Sequence, residues 1–361
     1  MSTRIGIVGM PNAGKSSLFN ALTKAGAEAA NYPFTTIEPN VAVVPVVDER
    51  LERVAATVGA SGIVWDTIDF HDIAGLVAGA AQGEGLGNKF LANIRETDAI
   101  VHVVRAHGDE NVIHPEGRVD PLADIETIET ELGLADLEQA ERRLERVVRQ
   151  ARGGDRAAIA EQAWLEAVID ELRHGRPARG VPAPEDAPAA PRELGSLTAK
   201  PVLFVANVDE GSAEVPAAIA EHAAAQGARA VAISSRIEAE LAELEDEEAA
   251  LMREELGISE SGLQSVVREA FALLELIAFF TAGEAKPAQS WHLHRGLTAW
   301  HAAGQIHSDI QKGFVRAEVI GWQELVDAGG YAGAREHGTL RLEGRDYVMH
   351  DGDVITVKFT P

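Results

Sequence analysis

Residues 9–16 read G-M-P-N-A-G-K-S, and the prediction of the fold starts from these eight residues. It matches G-x-x-x-x-G-K-[ST], the phosphate-binding P-loop pattern. The apolar run at 4–8 predicts a strand before the loop, and residues 17–24 place three apolar side chains on one helical face after it. A P-loop between a strand and a helix binds nucleotide phosphates, so the sequence predicts a nucleotide site here.

Each residue type in the loop has a chemical reason. Gly9 and Gly14 let successive backbone N–H groups turn towards phosphate oxygens. Lys15 is placed to reach the β- and γ-phosphates, and the Ser16 hydroxyl is placed to ligate a magnesium ion. The loop therefore predicts a nucleoside triphosphate as ligand and Mg²⁺ as cofactor.

The composition limits the protein class. The chain has 361 residues, of which 46% are hydrophobic and none is cysteine, and its formal net charge is −25. The length predicts two or three domains, and the lack of cysteine excludes disulfides, thiolate catalysis and cysteine zinc sites. We find no apolar run of membrane length and no signal-peptide pattern, so we expect a cytoplasmic monomer without a membrane contact.

The strong negative charge also limits the partners. It disfavours a general nucleic-acid coat, and with it sequence-specific DNA binding, because phosphate backbones are repelled at long range. A local basic contact on a folded ribonucleoprotein stays compatible with this charge.

Two loops after the P-loop match nucleotide switches. Residues 29–40 form a polar loop in which Thr35 or Thr36 could ligate the metal, although an ordinary turn threonine is equally compatible. A strand at 67–71 is followed by D-I-A-G, whose Asp72 would act on magnesium through water while the Gly75 N–H meets the γ-phosphate. The glycine-rich run 79–89 predicts a second switch, with an uncoupled surface loop as the alternative.

The sequence lacks an obvious group to position the attacking water. Leu76 follows Gly75, where many GTPases have a glutamine. His114 could supply a hydrogen bond near neutral pH, but an ordinary surface-loop histidine is the simpler interpretation from the sequence alone. His102 lies inside an apolar strand, and we expect a hydrogen-bonded core residue.

The base-reading motif of GTPases is altered. Two buried strands, at 201–206 and 228–233, end in N-V-D-E at 207–210 and in Ser234, and the ends of such strands face the ligand. GTPases have N-K-x-D, whose aspartate binds guanine. Here valine replaces the lysine and glutamate replaces that aspartate, so the motif predicts a preference for ATP over GTP.

The rest of the first domain is helical. Apolar residues at helical spacing over 124–152 and again from 159, separated by Gly153-Gly154, predict a helical hairpin inserted at about 122–196. The stretch 175–195 holds five prolines and predicts a linker or a loose loop. An acidic helix at 237–256 should be a solvated face, and a helix at 263–280 should close the domain.

The sequence pattern changes near residue 280, where short strands and turns replace the alternation of strands and helices. A helix at 298–310 between short strands predicts a small mixed sheet with a helix on it. Segments 345–350 and 354–359 predict a β-hairpin across D-G-D. The predicted domains are therefore 1–278 and 279–361.

Taken together, the chain resembles the Obg-like ATPases of the YchF family over its whole length. The matching stretches lie at 9–16, 31–40, 72–77, 83–90, 93–100, 207–210, 279–283 and 312–317. The resemblance implies a fold of the α/β class: a P-loop NTPase G domain with a mostly parallel sheet, an inserted helical hairpin and a C-terminal β-grasp (TGS) domain. It also implies ATP hydrolysis in preference to GTP and binding to the ribosome, with the large subunit as the expected contact.

The resemblance also implies roles for individual residues. The phosphates would be bound by Asn12, Ala13, Gly14, Lys15, Ser16 and Ser17. Ser16 and Thr36 would ligate magnesium, Asn207 and Val208 would contact the base, Ser234 and Gly75 would complete the nucleotide site, and His114 would act in hydrolysis. Some relatives carry a redox-active cysteine where this chain has Thr35, which puts thiol regulation in doubt.

Two other functions stay open at this point. One is a GTPase of translation or ribosome assembly. The other is a nucleotide-dependent binding module with incidental turnover, which Leu76 favours and the ordered switch motifs disfavour.

Overall fold

The computed structural model describes residues 3–29, 40–73, 86–108, 119–212, 214–244, 246–256, 258 and 261–360. The strands of these residues are β1 Thr3–Val8, β2 Val41–Pro45, β3 Gly62–Val64, β4 Thr67–Asp72, β5 Ala99–Arg105, β6 Val202–Asn207, β7 Arg229–Ile233, β8 Leu276–Thr281, β9 Pro287–His294, β10 Phe314–Gly321, β11 Arg341–Glu343 and β12 Asp353–Phe359. The helices are α1 Lys15–Ala29, α2 Glu49–Val58, α3 Leu86–Arg95, α4 Pro121–Ala151, α5 Arg156–Arg173, α6 Ala190–Leu194, α7 Ala217–Ala225, α8 Ser235–Leu241, α9 Asp246–Glu255, α10 Gly262–Leu273, α11 Ala299–Ile306, α12 Ser308–Lys312, α13 Trp322–Asp327 and α14 Tyr331–Glu336. None of the helices in the described ranges is both long and apolar enough to cross a bilayer.

The chain divides into two compact units, which we call the nucleotide unit and the C-terminal unit. The nucleotide unit contains residues 3–43 and 69–273, and the C-terminal unit contains residues 44–68 and 274–361.

The sheet of the nucleotide unit has the strand order β2-β4-β1-β5-β6-β7 among the described residues. The pairs β1–β5, β5–β6 and β6–β7 are parallel, with Val8 beside His102 and Arg105 beside Asn207. Parallel strands bring their carboxyl ends to one edge of the sheet. The loop after β1 and the residues that end β6 therefore meet at that edge, as the P-loop fold class predicts.

Helices α4 and α5 form the hairpin that the sequence predicts. The first half of α4 buries Ile125, Ile128 and Leu132 against the sheet clusters. Its second half buries Ala140 and Val147 against α5. The turn between the helices uses Gly154 at φ 82°, a backbone angle that favours glycine.

The prolines at 175–195 do not form a linker or a loose loop, so that prediction is wrong. Ala178, Ala190 and Leu194 are buried in the core of the hairpin. The buried carboxylate of Asp136 accepts hydrogen bonds from the backbone N–H groups of Leu197 and Thr198, both at 2.8 Å. Burial of these apolar side chains holds the stretch in place, and its last residues form helix α6, which the proline-rich composition does not indicate.

The acidic stretch after β7 is not purely a solvated face. Glu238 on α8 is buried and accepts hydrogen bonds from the Ser261 hydroxyl at 3.1 Å and the Gly262 N–H at 2.7 Å. Its carboxylate therefore connects α8 with the start of α10.

The C-terminal unit contains a segment from the first quarter of the chain, residues 44–68. Its sheet has the order β11-β10-β12-β8-β9-β3 among the described residues, and β3 pairs parallel to β9. Helix α2 packs in the same unit, where Arg50 donates to Asp351 at 2.6 Å and to Asp48 at 2.7 Å. The predicted boundary at residue 278 assigned residues 44–68 to the first domain, whereas their contacts place them in this unit.

Two predictions of secondary structure near this unit are wrong. The predicted helix at 263–280 ends at Leu273, and the following apolar residues form β8, which pairs antiparallel to β9. The predicted hairpin is absent from the described residues, because β12 pairs with β10 and β8 while Val348 makes only an isolated bridge with Thr298. Apolar runs of this length suit a helix or a buried strand equally, and only pairing decides between them.

Candidate functional site

The backbone of residues 9–14 accepts only glycine at two positions. Gly9 has φ 156° and Gly14 has φ 102°. A Cβ atom on Gly9 would lie 2.4 Å from the Val103 carbonyl oxygen, and one on Gly14 would lie 2.4 Å from the Asn207 Nδ2 atom. The P-loop therefore packs tightly against β5 and the end of β6, and both motif glycines are required by close approach as well as by backbone angle.

Lys15 is the charged residue at the centre of the site. It is buried, and its ammonium group donates a hydrogen bond to the Met10 carbonyl oxygen at 2.8 Å. Burial lowers the pKa of Lys15, and the nearby Asp72 carboxylate partly opposes this. Burial likewise raises the pKa of Asp72, opposed by Lys15. The predicted phosphate-binding lysine and the predicted magnesium aspartate thus share one electrostatic environment.

Asn207 connects the P-loop with the start of α8. Its Nδ2 atom donates to the Ala13 carbonyl oxygen at 3.1 Å, and its Oδ1 atom accepts from the Ser235 N–H at 3.0 Å. Ala13 contributes to the site through this carbonyl. The base contact that we expected of Asn207 stays a prediction, because both polar ends of the side chain bind protein atoms here.

The rest of the N-V-D-E motif is arranged differently from a guanine site. Val208 is buried in an apolar cluster, and its N–H donates to the Ile233 carbonyl oxygen at 2.8 Å. Asp209 is exposed. The Glu210 carboxylate forms an ion pair with Arg236 at 3.0 Å. Neither the valine nor the paired glutamate presents the groups that recognise guanine.

A cleft of about 1000 Å³ collects these residues. The predicted residues that line it are Asn12, Gly14, Lys15, Ser16, Ser17, Asn207, Val208 and Ser234. Ser234 also caps α8, because its hydroxyl accepts from the Ile237 N–H at 3.5 Å. The predictions for Thr35, Thr36, Gly75, Leu76, His114 and the glycine-rich run at 79–85 lie outside the described residues.

The cleft includes residues that sequence reasoning missed. They are His107, Gly108, Ser235, Arg236, Ala239, Glu240 and Glu243. The Ser235 hydroxyl is buried, and it has no hydrogen-bond partner among the described residues, so it can donate to a ligand. The sequence could have indicated Ser235, because it directly follows Ser234 at the end of β7. Glu240 and Glu243 fall in the acidic stretch that we interpreted as solvent-facing.

His102 lies in the core beside this site. It is buried, as expected, but its Nε2 atom has no hydrogen-bond partner in the described part of the chain, so the expectation of a hydrogen-bonded residue is wrong for that atom. Burial lowers the pKa of His102 to about 3, with smaller contributions from Lys15 and His222. The side chain is therefore neutral at physiological pH.

Comparisons with known proteins agree with this geometry. A family model described as a 50S ribosome-binding GTPase matches residues 4–138, and the C-terminal model of YchF GTPases, described as a protein of unknown function, matches residues 276–360. The "Ribosome-binding ATPase YchF" of Bacillus subtilis is 47% identical over 365 residues, covering 99% of this chain and 100% of the relative. The protein of the same name from Escherichia coli O157:H7 is 48% identical over 362 residues, covering 99% of each chain.

The chain belongs to the YchF family. A solved structure, described as the YchF GTPase of Schizosaccharomyces pombe, superposes with a TM-score of 0.88 at 35% identity, covering 99% of this chain and 98% of that one. The YchF match confirms the predicted fold class, an α/β P-loop domain followed by a C-terminal module. The P-loop that begins this YchF chain lies within the GTPase-type family match, which supports a nucleotide hydrolase.

Proposed function

We propose that this protein is an ATP-hydrolysing P-loop switch that binds the ribosome, with the large subunit as the contact. The observation that carries the proposal is the buried Lys15 in a glycine-bounded P-loop, at the end of a cleft of about 1000 Å³. The family membership supports it, since the bacterial relatives are named ribosome-binding ATPases and the N-terminal family model is described as a 50S ribosome-binding GTPase.

The residues of the P-loop hold the phosphates. The Lys15 ammonium would release the Met10 carbonyl oxygen and pair with the β- and γ-phosphates, an exchange that places a charge-assisted bond where a neutral acceptor was. The N–H groups at the start of α1 would bind the same anion and add the positive end of the helix dipole. Asn207 holds the Ala13 carbonyl oxygen through a hydrogen bond from its Nδ2 atom.

The donors fit a magnesium ion. Ser16 lines the cleft with a hydroxyl, and Asp72 ends β4 with a carboxylate close enough to Lys15 to shift its pKa. Magnesium prefers such hard oxygen ligands together with phosphates and water. Ser16 and Thr36 would hold the ion, with Asp72 acting through water. When bound, the ion supplies charge neutralisation at the β- and γ-phosphates.

The base end of the cleft favours ATP over GTP. Guanine recognition uses an aspartate that accepts two N–H groups, whereas here the corresponding Glu210 is longer and is paired with Arg236. Position 208, where GTPases have the lysine of N-K-x-D, is occupied by Val208 in an apolar cluster. The lysine and the aspartate of the GTPase motif are therefore both replaced at this end of the cleft. A site without the matching polar groups rejects the wrong base by large factors.

Competition between the two nucleotides tests this preference. We expect ATP to bind more tightly than GTP in calorimetric titrations with Mg²⁺. Glu210→Asp should reduce the preference for ATP, so that the dissociation constants of ATP and GTP become more similar. The reason is that the change shortens the side chain and weakens its ion pair with Arg236. Glu214→Asp, at an exposed position outside the lining of the cleft, is the matched control. Tighter binding of GTP by the unmodified protein would instead support the GTPase alternative, which the description of the S. pombe relative as a GTPase favours.

Turnover should be slow and should depend on His114. Leu76 cannot orient water, and one missing catalytic group costs roughly 10²–10³-fold in rate. We expect His114→Ala to lower ATP turnover while ATP affinity stays unchanged. Unaltered turnover in that variant would favour a binding module in which hydrolysis is incidental.

Ribosome association is tested by co-sedimentation. We expect the monomeric, cytoplasmic protein to pellet with ribosomes and with isolated large subunits, and neither with DNA of defined sequence nor with vesicles. Pelleting with small subunits only would contradict the proposed contact.

A further inference from the structure

The tip of the helical hairpin is basic in a strongly acidic chain. Residues 142–156 contain six arginines and only two acidic residues, whereas the whole chain has a formal charge of −25. The arginines are at 142, 143, 146, 149, 152 and 156. Neither the nucleotide site nor the proposed chemistry uses this segment.

The tip projects from the body of the nucleotide unit. Ala135 is the last residue of α4 in the cluster that packs on the sheet, and beyond it α4 buries Ala140 and Val147 against α5 instead. Arg152 follows Ala135 by 17 residues of helical chain, which at a rise of 1.5 Å per residue corresponds to about 25 Å. A charge at the tip therefore lies more than two Debye lengths at physiological salt from the part of α4 that packs on the sheet.

Half of these arginines are neutralised by neighbours. Arg142 pairs with Glu138 at 3.1 Å, and Arg156 pairs with Asp186 at 2.9 Å. Arg143 pairs with two carboxylates of the hairpin, at 2.5 and 2.6 Å. Structural ion pairs account for these three side chains.

The other three have no such partner. Arg146, Arg149 and Arg152 are exposed, and none forms an ion pair with any residue that the structure describes. They recur every third residue, with Arg146 and Arg149 near the end of α4 and Arg152 directly after its last residue, Ala151. Glu145 lies among them and reduces the local charge, but it pairs with none of them. A single cation suffices to complement a helix C-terminus, so three unpaired guanidinium groups exceed that structural role.

We propose that Arg146, Arg149 and Arg152 form a contact site for the phosphate backbone of RNA. The planar guanidinium group binds phosphate through two parallel hydrogen bonds, which lysine cannot do. The segment 142–156 has no large exposed apolar side chain, which a membrane-surface helix would need. The identification of the RNA as ribosomal rests on the proposed ribosome association, but the site itself does not.

A salt titration against a defined probe tests the site. The probe is an RNA hairpin of about 20 base pairs and arbitrary sequence, long enough to span several phosphate contacts, and binding to the full chain is followed by fluorescence anisotropy. In the variant R146Q/R149Q/R152Q we expect the affinity to fall roughly 10- to 100-fold at about 0.1 M salt. The slope of log affinity against log salt should decrease in magnitude by about 2 to 3, since each phosphate contact contributes ~0.7–0.9.

Two control variants separate contact from general charge and from folding. R229Q/R268Q/R335Q removes the same charge from partly or fully exposed positions elsewhere and should stay within about twofold of the unmodified protein. R146K/R149K/R152K keeps the charge at the tip and should retain most of the salt slope, so it decides the question even if the glutamine variant melts at lower temperature.

The outcomes distinguish this site from the proposed function. Equal RNA affinity and salt slope in R146Q/R149Q/R152Q and the remote control would overturn the site, even if the unmodified protein pellets with ribosomes. The site would also be overturned if the unmodified protein bound phosphatidylserine vesicles and R146Q/R149Q/R152Q lost that binding while its RNA affinity stayed unchanged. If the unmodified protein fails to pellet with ribosomes, the ribosome proposal fails, while the RNA titration still decides the site.

Discussion

At the scale of single residues, the site combines a buried cation, Lys15, with a side chain, Asn207, that connects two segments by hydrogen bonds. Lys15 is buried beside the charge of Asp72, and its pKa is lowered by that burial. Asn207 bonds to both the P-loop and the start of α8. The first residue supplies the charge for phosphate binding, and the second supplies the geometry, so their variants should differ in what they lose.

The lowered pKa of Lys15 predicts a pH dependence of ATP binding. The phosphate contact needs the ammonium form, so ATP affinity should fall as pH rises through the lowered pKa, below the ordinary lysine value of about 10.4. Without nucleotide the sign is opposite. Between the lowered and ordinary pKa values the unfolded chain binds more protons, so this lysine makes the free energy of unfolding rise with pH.

Calorimetry of ATP binding between about pH 7 and the ordinary lysine pKa of about 10.4 checks the first trend, and denaturation of the protein relative to Lys15→Ala checks the second. Lys15→Ala should bind ATP weakly at every pH, without the alkaline decline. An ATP affinity of the unmodified protein that stays constant over this whole range would contradict the role of Lys15.

Asn207→Ala should destabilise the protein and weaken ATP binding together. The change leaves the Ala13 carbonyl oxygen and the Ser235 N–H without their partner in a buried place, at a cost of about 1–3 kcal/mol of unfolding free energy. Urea denaturation and ATP titration measure both effects. The neighbouring Asp209→Ala, at an exposed side chain, should change stability by less than about 0.5 kcal/mol. Similar losses in the two variants would show that Asn207 does not specifically connect the two segments.

At the scale of elements, α4 is fixed to the sheet by apolar packing and by one buried carboxylate. Asp136 is buried, and it accepts from the backbone N–H groups of Leu197 and Thr198 and from the Thr198 hydroxyl at 2.7 Å. This carboxylate fastens the segment that enters β6 to the middle of the hairpin helix. The hairpin is thus a continuation of the nucleotide unit rather than an appended arm.

Asp136→Asn should lower the free energy of unfolding by about 1–3 kcal/mol and leave ATP affinity unchanged. The amide has one acceptor oxygen where the carboxylate has two, so at least one buried donor loses its partner. Urea denaturation measures the loss, with Asp170→Asn on the exposed face of α5 as control. A variant as stable as the control would mean that apolar packing alone holds the segment.

At the scale of the whole molecule, the two compact units do not follow the chain. Residues 44–68 belong to the C-terminal unit, where α2 buries Leu51 and Val54, and β3 pairs with β9. Arg50 joins Asp48 and Asp351 in the same unit, and Asp351 lies 301 residues further along the sequence. Truncation before β8 therefore removes the partners of a segment that stays behind.

A chain that ends at Leu273 should not fold like the same residues of the intact protein. The exposed face of α2 and the unpaired β3 would lower solubility and increase binding of a hydrophobic dye. Thermal melting and dye fluorescence measure this, and co-expression of residues 274–361 as a separate chain should restore the intact behaviour. A cooperative melt of the truncated chain, at the temperature of the intact protein and without dye binding, would contradict the expectation.

The local chemistry of this protein can be predicted from short stretches of its sequence. The P-loop follows from residue types that only one backbone conformation uses, and Gly9 and Gly14 have positive φ as the motif requires. The hairpin helices follow from apolar spacing and the Gly-Gly turn, and the altered N-V-D-E motif identified the unusual base end. Each of these signals comes from residues that are close to one another in the sequence. Over such short distances, backbone sterics and side-chain periodicity act directly.

The contacts between distant segments became evident only in the folded chain. Nothing local indicates that Asn207 binds Ala13, that residues 44–68 join the C-terminal unit, or that Ala178, Ala190 and Leu194 of the proline-containing stretch pack into a core. The apolar run at 276–281 became a strand rather than the end of a helix because β9 was there to pair with it. Such contacts depend on burial and on strand pairing between residues far apart in the chain. Their contribution to the free energy of folding arises only when the intervening loops have closed.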